Sequence, residues 1–284
     1  MIIREVGPRD GLQAENPVSI KDRVALVDGL TEAGVRDIEA VSFVSPKSVP
    51  QMANADQVMS LINRRPEVRY WGLVPNRRGA EMAVAAEIDA LTVTISACPV
   101  YNQKNINRTI EESTSSIAEI VSVADGRPVD AVISCVFGSP YTGDEPTKTV
   151  PGLLERLKDG GVAQITLADT TGMATPTRIE QVLTRTGADV GMHLHDTRGT
   201  ALVNAWAAFQ LGVNRFDAAI GGLGGSPFAD GADGNLATED LVHLLHDSGV
   251  QTGIDLTSLL ALGPLLAETV GHALPGRVMM HGPR

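Results

Sequence analysis

Short apolar runs alternate with amphipathic stretches along the whole chain. The runs cover residues 2–6, 37–43, 69–74, 91–96, 131–136, 164–168, 190–195 and 216–220. They are rich in Val and Ile and nearly continuous, the pattern of parallel strands covered on both faces. The stretches between them read as helices. In the first, Ile20, Val24, Val27 and Leu30 form one apolar stripe. Ser19 with Asp22 resembles a capping box, and Thr175-Pro176 sets a cap before a proline at the first helical position. Helix ends repeat one signature: L-T-E-A-G-V at 30–35, L-K-D-G-G-V at 157–162, L-H-D-S-G-V at 245–250, and a looser A-F-Q-L-G-V at 208–213. In each, Gly takes the left-handed cap and Val turns toward the next element.

Eight strands alternating with helices predict the α/β class and a single (β/α)8 TIM barrel over residues 1–284, with a mobile tail at 275–284. A doubly wound open sheet is the alternative. Its dinucleotide-binding form is disfavoured, because no G-x-G-x-x-G follows the first strand.

Composition narrows the function classes. Apolar residues make up 43% of the 284, ample for a core, and no run approaches the ~20 residues of a membrane helix. The net charge of −11 argues against a nucleic-acid partner, which a basic patch would bind. Cys98 and Cys135 lie in apolar runs without metal or disulfide spacing, and Cys98 reads as a strand-end packing residue. No signal peptide precedes the first strand, so the expected location is cytoplasmic.

Candidate chemistry sits where the strands run out. His193 and His195 are two residues apart in M-H-L-H and so point to one face. In a barrel, the C-terminal strand ends meet at one mouth. That mouth would collect Arg9 and Asp10 from the first strand, Glu39 from the second, Asp169 and Thr170 from the sixth, the histidines from the seventh, and Ser226 and Asn235 from the last loop. Each has a plain reading alone. The histidines could be incidental polar side chains, Arg9-Asp10 a surface turn, Glu39 a structural ion pair and Asn235 a loop or cap residue. Their convergence favours a site, because charges inside apolar strands are costly unless paired or bound to metal. Asp, two His and an Asn carbonyl suit a divalent cation such as Mn²⁺ or Mg²⁺. The glycine-rich loop 221–227 reads as a lid or a close backbone approach to substrate.

Gly7-Pro8-Arg9-Asp10-Gly11-Leu12-Gln13, Ser42-Phe43-Val44-Ser45-Pro46-Lys47, Lys104-Asn105-Ile106-Asn107, Gly224-Gly225-Ser226-Pro227 and Gly234-Asn235-Leu236-Ala237-Thr238-Glu239-Asp240 resemble 3-hydroxy-3-methylglutaryl-CoA lyase. The resemblance runs to about residue 260. It implies a metal-dependent barrel enzyme that cleaves a 3-hydroxyacyl-CoA into acetyl-CoA and a keto acid. Asp10, His193, His195 and Asn235 would be metal ligands, and Arg9 would stabilise the enolate oxygen. Glu39 would support the site, and Asp10 and His193 are both candidates for the base. Gln13, Asp169 and Thr170 are expected to touch an acyl-CoA substrate. A homo-oligomer is expected, without membrane or nucleic-acid partners. The family's loop usually reads G-G-C-P, whereas this chain has Ser226, whose hydroxyl is a far weaker acid than a thiol. Ser139 is a second Ser where relatives often show Cys. Lys47, Arg77, Arg78, Lys104 and Arg108 are candidates for the CoA phosphates. The alternatives are a different substrate such as citramalyl-CoA, a forward Claisen synthase and a non-catalytic relative. Synthases carry a further C-terminal region, and this chain ends just after the barrel.

Overall fold

The computed structural model describes residues 1–144, 146–225 and 234–283. Eight strands pair in parallel and in chain order: β1 (Ile2–Glu5), β2 (Asp37–Ser42), β3 (Arg69–Leu73), β4 (Ala90–Ser96), β5 (Val129–Ser134), β6 (Gln164–Asp169), β7 (Gly191–Leu194) and β8 (Arg215–Ala218). β8 closes back on β1 through the register Ile2↔Arg215 to Glu5↔Ala218, so the open-sheet alternative is excluded. Each predicted strand matches an observed one to within two residues at either end. No helix among the described residues is long and apolar enough to cross a membrane.

The repeated helix endings are one structural device. Gly34, Gly161, Gly212 and Gly249 all have positive φ, between 79° and 99°. The valine after each donates its N–H to the carbonyl five residues back: Val35 to Leu30, Val162 to Leu157, Val213 to Ala208 and Val250 to Leu245, at 2.8–3.2 Å. These are Schellman closures, which satisfy the last helical carbonyls and aim the chain at the next strand. Ser19 and Thr175 cap their helices as expected, accepting from the N–H groups of Asp22 and Arg178. Thr109 and Glu112 form a full capping box at Ile110–Val123.

Two buried carboxyl groups tie the ends of the barrel together. Glu5 Oε1 accepts the N–H groups of Gly7 (2.7 Å) and Ile220 (2.9 Å), and Oε2 accepts the Thr238 hydroxyl (2.6 Å). The end of β1 is thereby bound to the turn after β8. Gly7 must be glycine here, since a Cβ would fall 2.6 Å from Glu5 Oε1. Glu239 Oε2 accepts the Gly221 N–H, while its Oε1 is buried without a partner among the described residues. Gly276 closes over it and donates its N–H to the Gly221 carbonyl at 2.9 Å. Asp240 caps the short helix Arg277–His281 through the N–H groups of Arg277 and Val278. Burial pushes Glu5 up to about 7 and Glu239 up to about 8, against hydrogen bonds that pull the other way.

Because both carboxyl groups bind protons more tightly folded than unfolded, they contribute stability below the ordinary carboxylate range. That stability is lost as pH rises through about 7 and 8. The melting temperature should therefore fall from pH 6 to pH 8.5. Glu239→Gln removes one of the two titrations and should raise Tm at the upper pH by roughly 2–6 °C, for about 1–2 kcal/mol. Parallel pH profiles of the two proteins would count against this account.

Candidate active site and metal centre

The mouth is built around an arginine that the fold buries. Directly after β1 the chain makes a wide helical turn, Gly7–Gly11, in which the Gly11 N–H reaches the Val6 carbonyl at 3.2 Å. Such five-residue turns are rare and concentrate at functional sites. This one turns Arg9 and Asp10 into the barrel, at 7% and 9% exposure. Arg9 is held on two sides. Its Nε and Nη2 donate to Glu39 Oε2 at 2.6 and 2.5 Å, and its Nη1 donates to Asp10 Oδ1 at 2.6 Å. Glu39 reaches this position beside a register irregularity between Glu39 and Val41 in the β2–β3 pairing. Its other oxygen accepts the Thr92 hydroxyl of β4 in a short hydrogen bond.

His193 and His195 face the same space, with ring centroids 5.1 Å apart and their Nε2 atoms 3.2 Å apart. His193 Nε2 lies 3.9 Å from Asp10 Oδ2. His195 is bridged to Asn235, which brings the loop after β8 alongside. The Asn235 amide nitrogen donates to Asp10 Oδ2 (2.8 Å) and to the Leu223 carbonyl (2.9 Å). Both partners can only accept, so the amide orientation is fixed. Asn235 Oδ1 is left buried with no partner among the described residues. Gly224, at φ 117°, backs this amide so closely that a Cβ would overlap it. One ligand atom each from Asp10, His193 and His195 lie within 4.8 Å of one another. A carboxylate, two imidazole nitrogens facing each other and an orphaned amide oxygen fit a divalent cation.

The charges are mutually supporting. Burial would push Asp10 up, but the Arg9 guanidinium and both histidines hold it below the usual carboxylate range. Burial would likewise lower His193, and the carboxylates of Asp217 and Asp10 outweigh that and raise it.

Beside this cluster lies a cavity of about 470 Å³. Gln13, Thr170, Ser134 and Gly225 line it together with Arg9, Asp10 and both histidines. Asp169 does not. Its oxygens accept the N–H groups of Met173 and Ala174 at 2.7 and 3.0 Å, so it shapes the loop after β6 instead. Thr170 does line the cavity, and its hydroxyl accepts the Cys135 N–H. Of the five expected phosphate contacts only Arg108 is in the wall, where it also donates to Ser116 Oγ at 2.7 Å. Arg77 pairs with Glu81, and Lys104 lies over Tyr141. Ser226 lies outside the described residues.

Several structural partners of the site were not singled out from sequence. Asp217 on β8 reaches His193, and Arg4 on β1 reaches Asp217. The available signal was the one used for Glu39: a charge inside an apolar strand. Cys98 is also more than packing. It precedes the helix Pro99–Ile106, and its sulfur accepts the hydroxyls of Ser139 (3.1 Å) and Thr142 (3.4 Å). Burial pushes this thiol up, but those hydroxyls and the helix's first N–H groups bring it below its ordinary value.

Residues 1–266 match the HMGL-like family model. The chain belongs to the HMGL-like family. It is 42% identical to the (R)-citramalyl-CoA lyase of Chloroflexus aurantiacus, over 99% of this chain and 94% of that protein. It is 40% identical to a hydroxymethylglutaryl-CoA lyase of Bacillus subtilis, over 97% and 95% of the two chains. Among solved structures, an HMG-CoA lyase from Acinetobacter baumannii in complex with coenzyme A and 3-methylmalate superposes with a TM-score of 0.96. Its identity is 38%, covering 100% of this chain and 95% of that one.

If Asp10, His193 and His195 are metal ligands, Asp10→Ala and His195→Ala should each weaken Mn²⁺ binding by at least tenfold in a calorimetric titration while the barrel stays folded. A His195→Ala protein that still bound one Mn²⁺ with wild-type affinity would remove that histidine from the site.

Proposed function

We propose that this family member is a carbon–carbon lyase that cleaves a 3-hydroxyacyl-CoA by a retro-Claisen reaction, with 3-hydroxy-3-methylglutaryl-CoA as the leading substrate. The observation that carries this reading is the meeting of Arg9, Asp10, His193, His195 and Asn235, from three separate parts of the chain, beside one cavity.

The reaction asks for two things. The C3 hydroxyl must lose its proton, and the C2–C3 bonding pair must be received by the thioester carbonyl as an enolate. The hydroxyl carbon becomes the ketone, and protonation of C2 completes acetyl-CoA. Asp10, His193, His195 and the Asn235 carbonyl would hold a Mg²⁺ or Mn²⁺ ion, which when bound lowers the pKa of a ligated hydroxyl. Asp10 and His193 are the candidates for the proton acceptor, and His193 can serve only while its Nε2 is off the metal, since its Nδ1 faces Asp217.

Arg9 serves the second demand. Three of its N–H groups are committed to Glu39 and Asp10, which fix the guanidinium plane. Two of its five have no partner among the described residues and are open to substrate. A cation held rigidly before charge develops is worth more in the transition state than a mobile one. Arg108, at the other cation position in the described cavity wall, is suited to the anionic part of CoA. The 42% identical relative named for citramalyl-CoA makes that thioester the second substrate to try.

Assays of both thioesters, with Mn²⁺ and with EDTA, test the proposal. Metal-dependent release of acetyl-CoA from at least one is the expected result, and none from either would overturn it. Arg9→Met should keep the fold and lower kcat by roughly 10²–10³, the usual loss for one donor to an oxyanion. Activity within threefold of wild type would place the stabilising charge elsewhere.

Ser226, next to cavity-lining Gly225, stands where the family usually has the loop thiol. Ser226→Cys is expected to leave the preferred reaction unchanged or slower. A tenfold acceleration of 3-hydroxy-3-methylglutaryl-CoA cleavage would instead mark the serine as a weakened proton donor.

A further inference from the structure

A histidine can give only one lone pair to a metal, so the position of its single proton decides whether it is a ligand. His193 meets that condition through the sheet register. His193 pairs with Asp217 across β7 and β8, and Asp217 pairs with Arg4 across β8 and β1. Side chains at paired positions of parallel strands share a face, so the three are stacked side by side inside the barrel. His193 Nδ1 lies 3.1 Å from Asp217 Oδ2. Arg4 donates from Nε to Asp217 Oδ1 at 2.9 Å and from Nη2 to Oδ2 at 2.8 Å. Its Nη1 lies 2.7 Å from Asp130 Oδ2, which also accepts the Thr166 hydroxyl at 2.8 Å. The guanidinium sits 5.0 Å from the centre of the Trp71 ring. All of these charged groups are buried.

We propose that Asp217 is the positioning residue of the metal centre: it holds the proton of His193 on Nδ1, so that the Nε2 lone pair faces Asp10 and His195, and Arg4 in turn holds Asp217. The proposal rests on reading Asp10, His193, His195 and Asn235 as a metal site. A carboxylate accepts only, so Nδ1 must be the donor in this contact. With the proton there, Nε2 is the free lone pair. Metal-bound imidazoles commonly hold their second nitrogen against a carboxylate in this way. The bidentate grip of Arg4 gives Asp217 one orientation. Arg4 also places its positive charge directly against both Asp217 oxygens, 2.9 and 2.8 Å away. If Asp217 served only to neutralise Arg4, the contact to His193 would be incidental, and Asp130 already provides one counter-charge.

Asp217→Asn separates these roles while keeping the shape. The new amide nitrogen cannot be placed without conflict. At the Oδ1 position it meets the Arg4 Nε donor. At the Oδ2 position it meets Arg4 Nη2 and donates to His193 Nδ1, which drives the imidazole proton to Nε2. Asp130→Asn is the control, since it removes a counter-charge of Arg4 without touching His193.

Two measurements test the proposal. Nitrogen-15 NMR of histidine-labelled, metal-free protein reads the tautomer, at a pH where all six imidazoles are neutral. The His193 signal is assigned by its loss in His193→Gln. Calorimetry with Mn²⁺ reads the affinity. Wild type should show His193 as the Nδ1–H form. Asp217→Asn should lose the exclusive Nδ1–H form, with the Nε2–H form populated, and bind Mn²⁺ with a Kd 10–100-fold weaker. Asp130→Asn should keep the wild-type tautomer and a Kd within threefold. An Nε2–H tautomer in wild type overturns the proposal without any variant, and so does an Asp217→Asn protein with wild-type tautomer and affinity. Wild type that fails to bind Mn²⁺ while showing the Nδ1–H tautomer would sink the metal reading and leave Asp217 as the group that sets the proton.

Discussion

A guanidinium buried at the end of β1 is the constraint on which the mouth depends. Arg9 cannot sit there without counter-charges, because an unpaired buried cation costs several kcal/mol. Glu39 and Asp10 supply them from β2 and from the same turn. Each counter-charge then imposes a condition of its own. Glu39 needs the Thr92 hydroxyl on β4 for its second oxygen, and Asp10 needs the Asn235 amide from the loop after β8. One charge thereby recruits four regions of the barrel, and it leaves the Asn235 Oδ1 buried with no partner among the described residues.

A second ionic group lies below the first. Arg4 and Arg9 belong to the same short stretch of chain, one pointing into the barrel interior and one held in the mouth. Arg4, Asp217 and Asp130 occupy interior positions that a barrel ordinarily fills with branched aliphatic side chains. Such a group is a weak source of net stability, since desolvation offsets much of the attraction. What it does provide is direction: bidentate and register-paired contacts hold His193 at one angle. Glu5 and Glu239 secure the barrel near its closing seam by a different means, as buried carboxyl groups held by backbone N–H groups rather than by cations.

The strands were legible because each is nearly continuous in apolar residues, and the helix ends because glycine followed by valine has one good geometry. The histidine pair was legible because alternation puts both on one face. Asp217 and Arg4 were not singled out, since neither is notable until the barrel closes and places β8 against β1. Glu39 was recognised by its charge in an apolar strand, and the same test applied to I-I-R-E and F-D-A would have found the other two. From the sequence, Asp169 reads as a mouth residue because it ends β6. A carboxylate at a strand end can equally accept the N–H groups of its own following loop, as Asp169 does from Met173 and Ala174. Cys98 reads as packing in the sequence because the hydroxyls that reach its sulfur come from Ser139 and Thr142, more than 40 residues away.

The division between strands and loops bears on substrate choice. Arg9, Asp10 and Glu39 lock one another in place, and His193 and Asn235 each have a further partner that fixes their orientation. The cavity wall is different. Val44, Ser45, Ser48 and Val49 come from the segment after β2, and Tyr101, Asn105, Ile106 and Arg108 from the segment after β4. These residues carry no demand from the ionic group and can vary without disturbing it. Two relatives at nearly the same identity, 42% and 40%, are named for different thioesters. Overall similarity therefore does not discriminate the acyl group. The physical expectation is a fixed set of charges at the strand ends for bond cleavage, with acyl selection in the loop-borne wall that faces it.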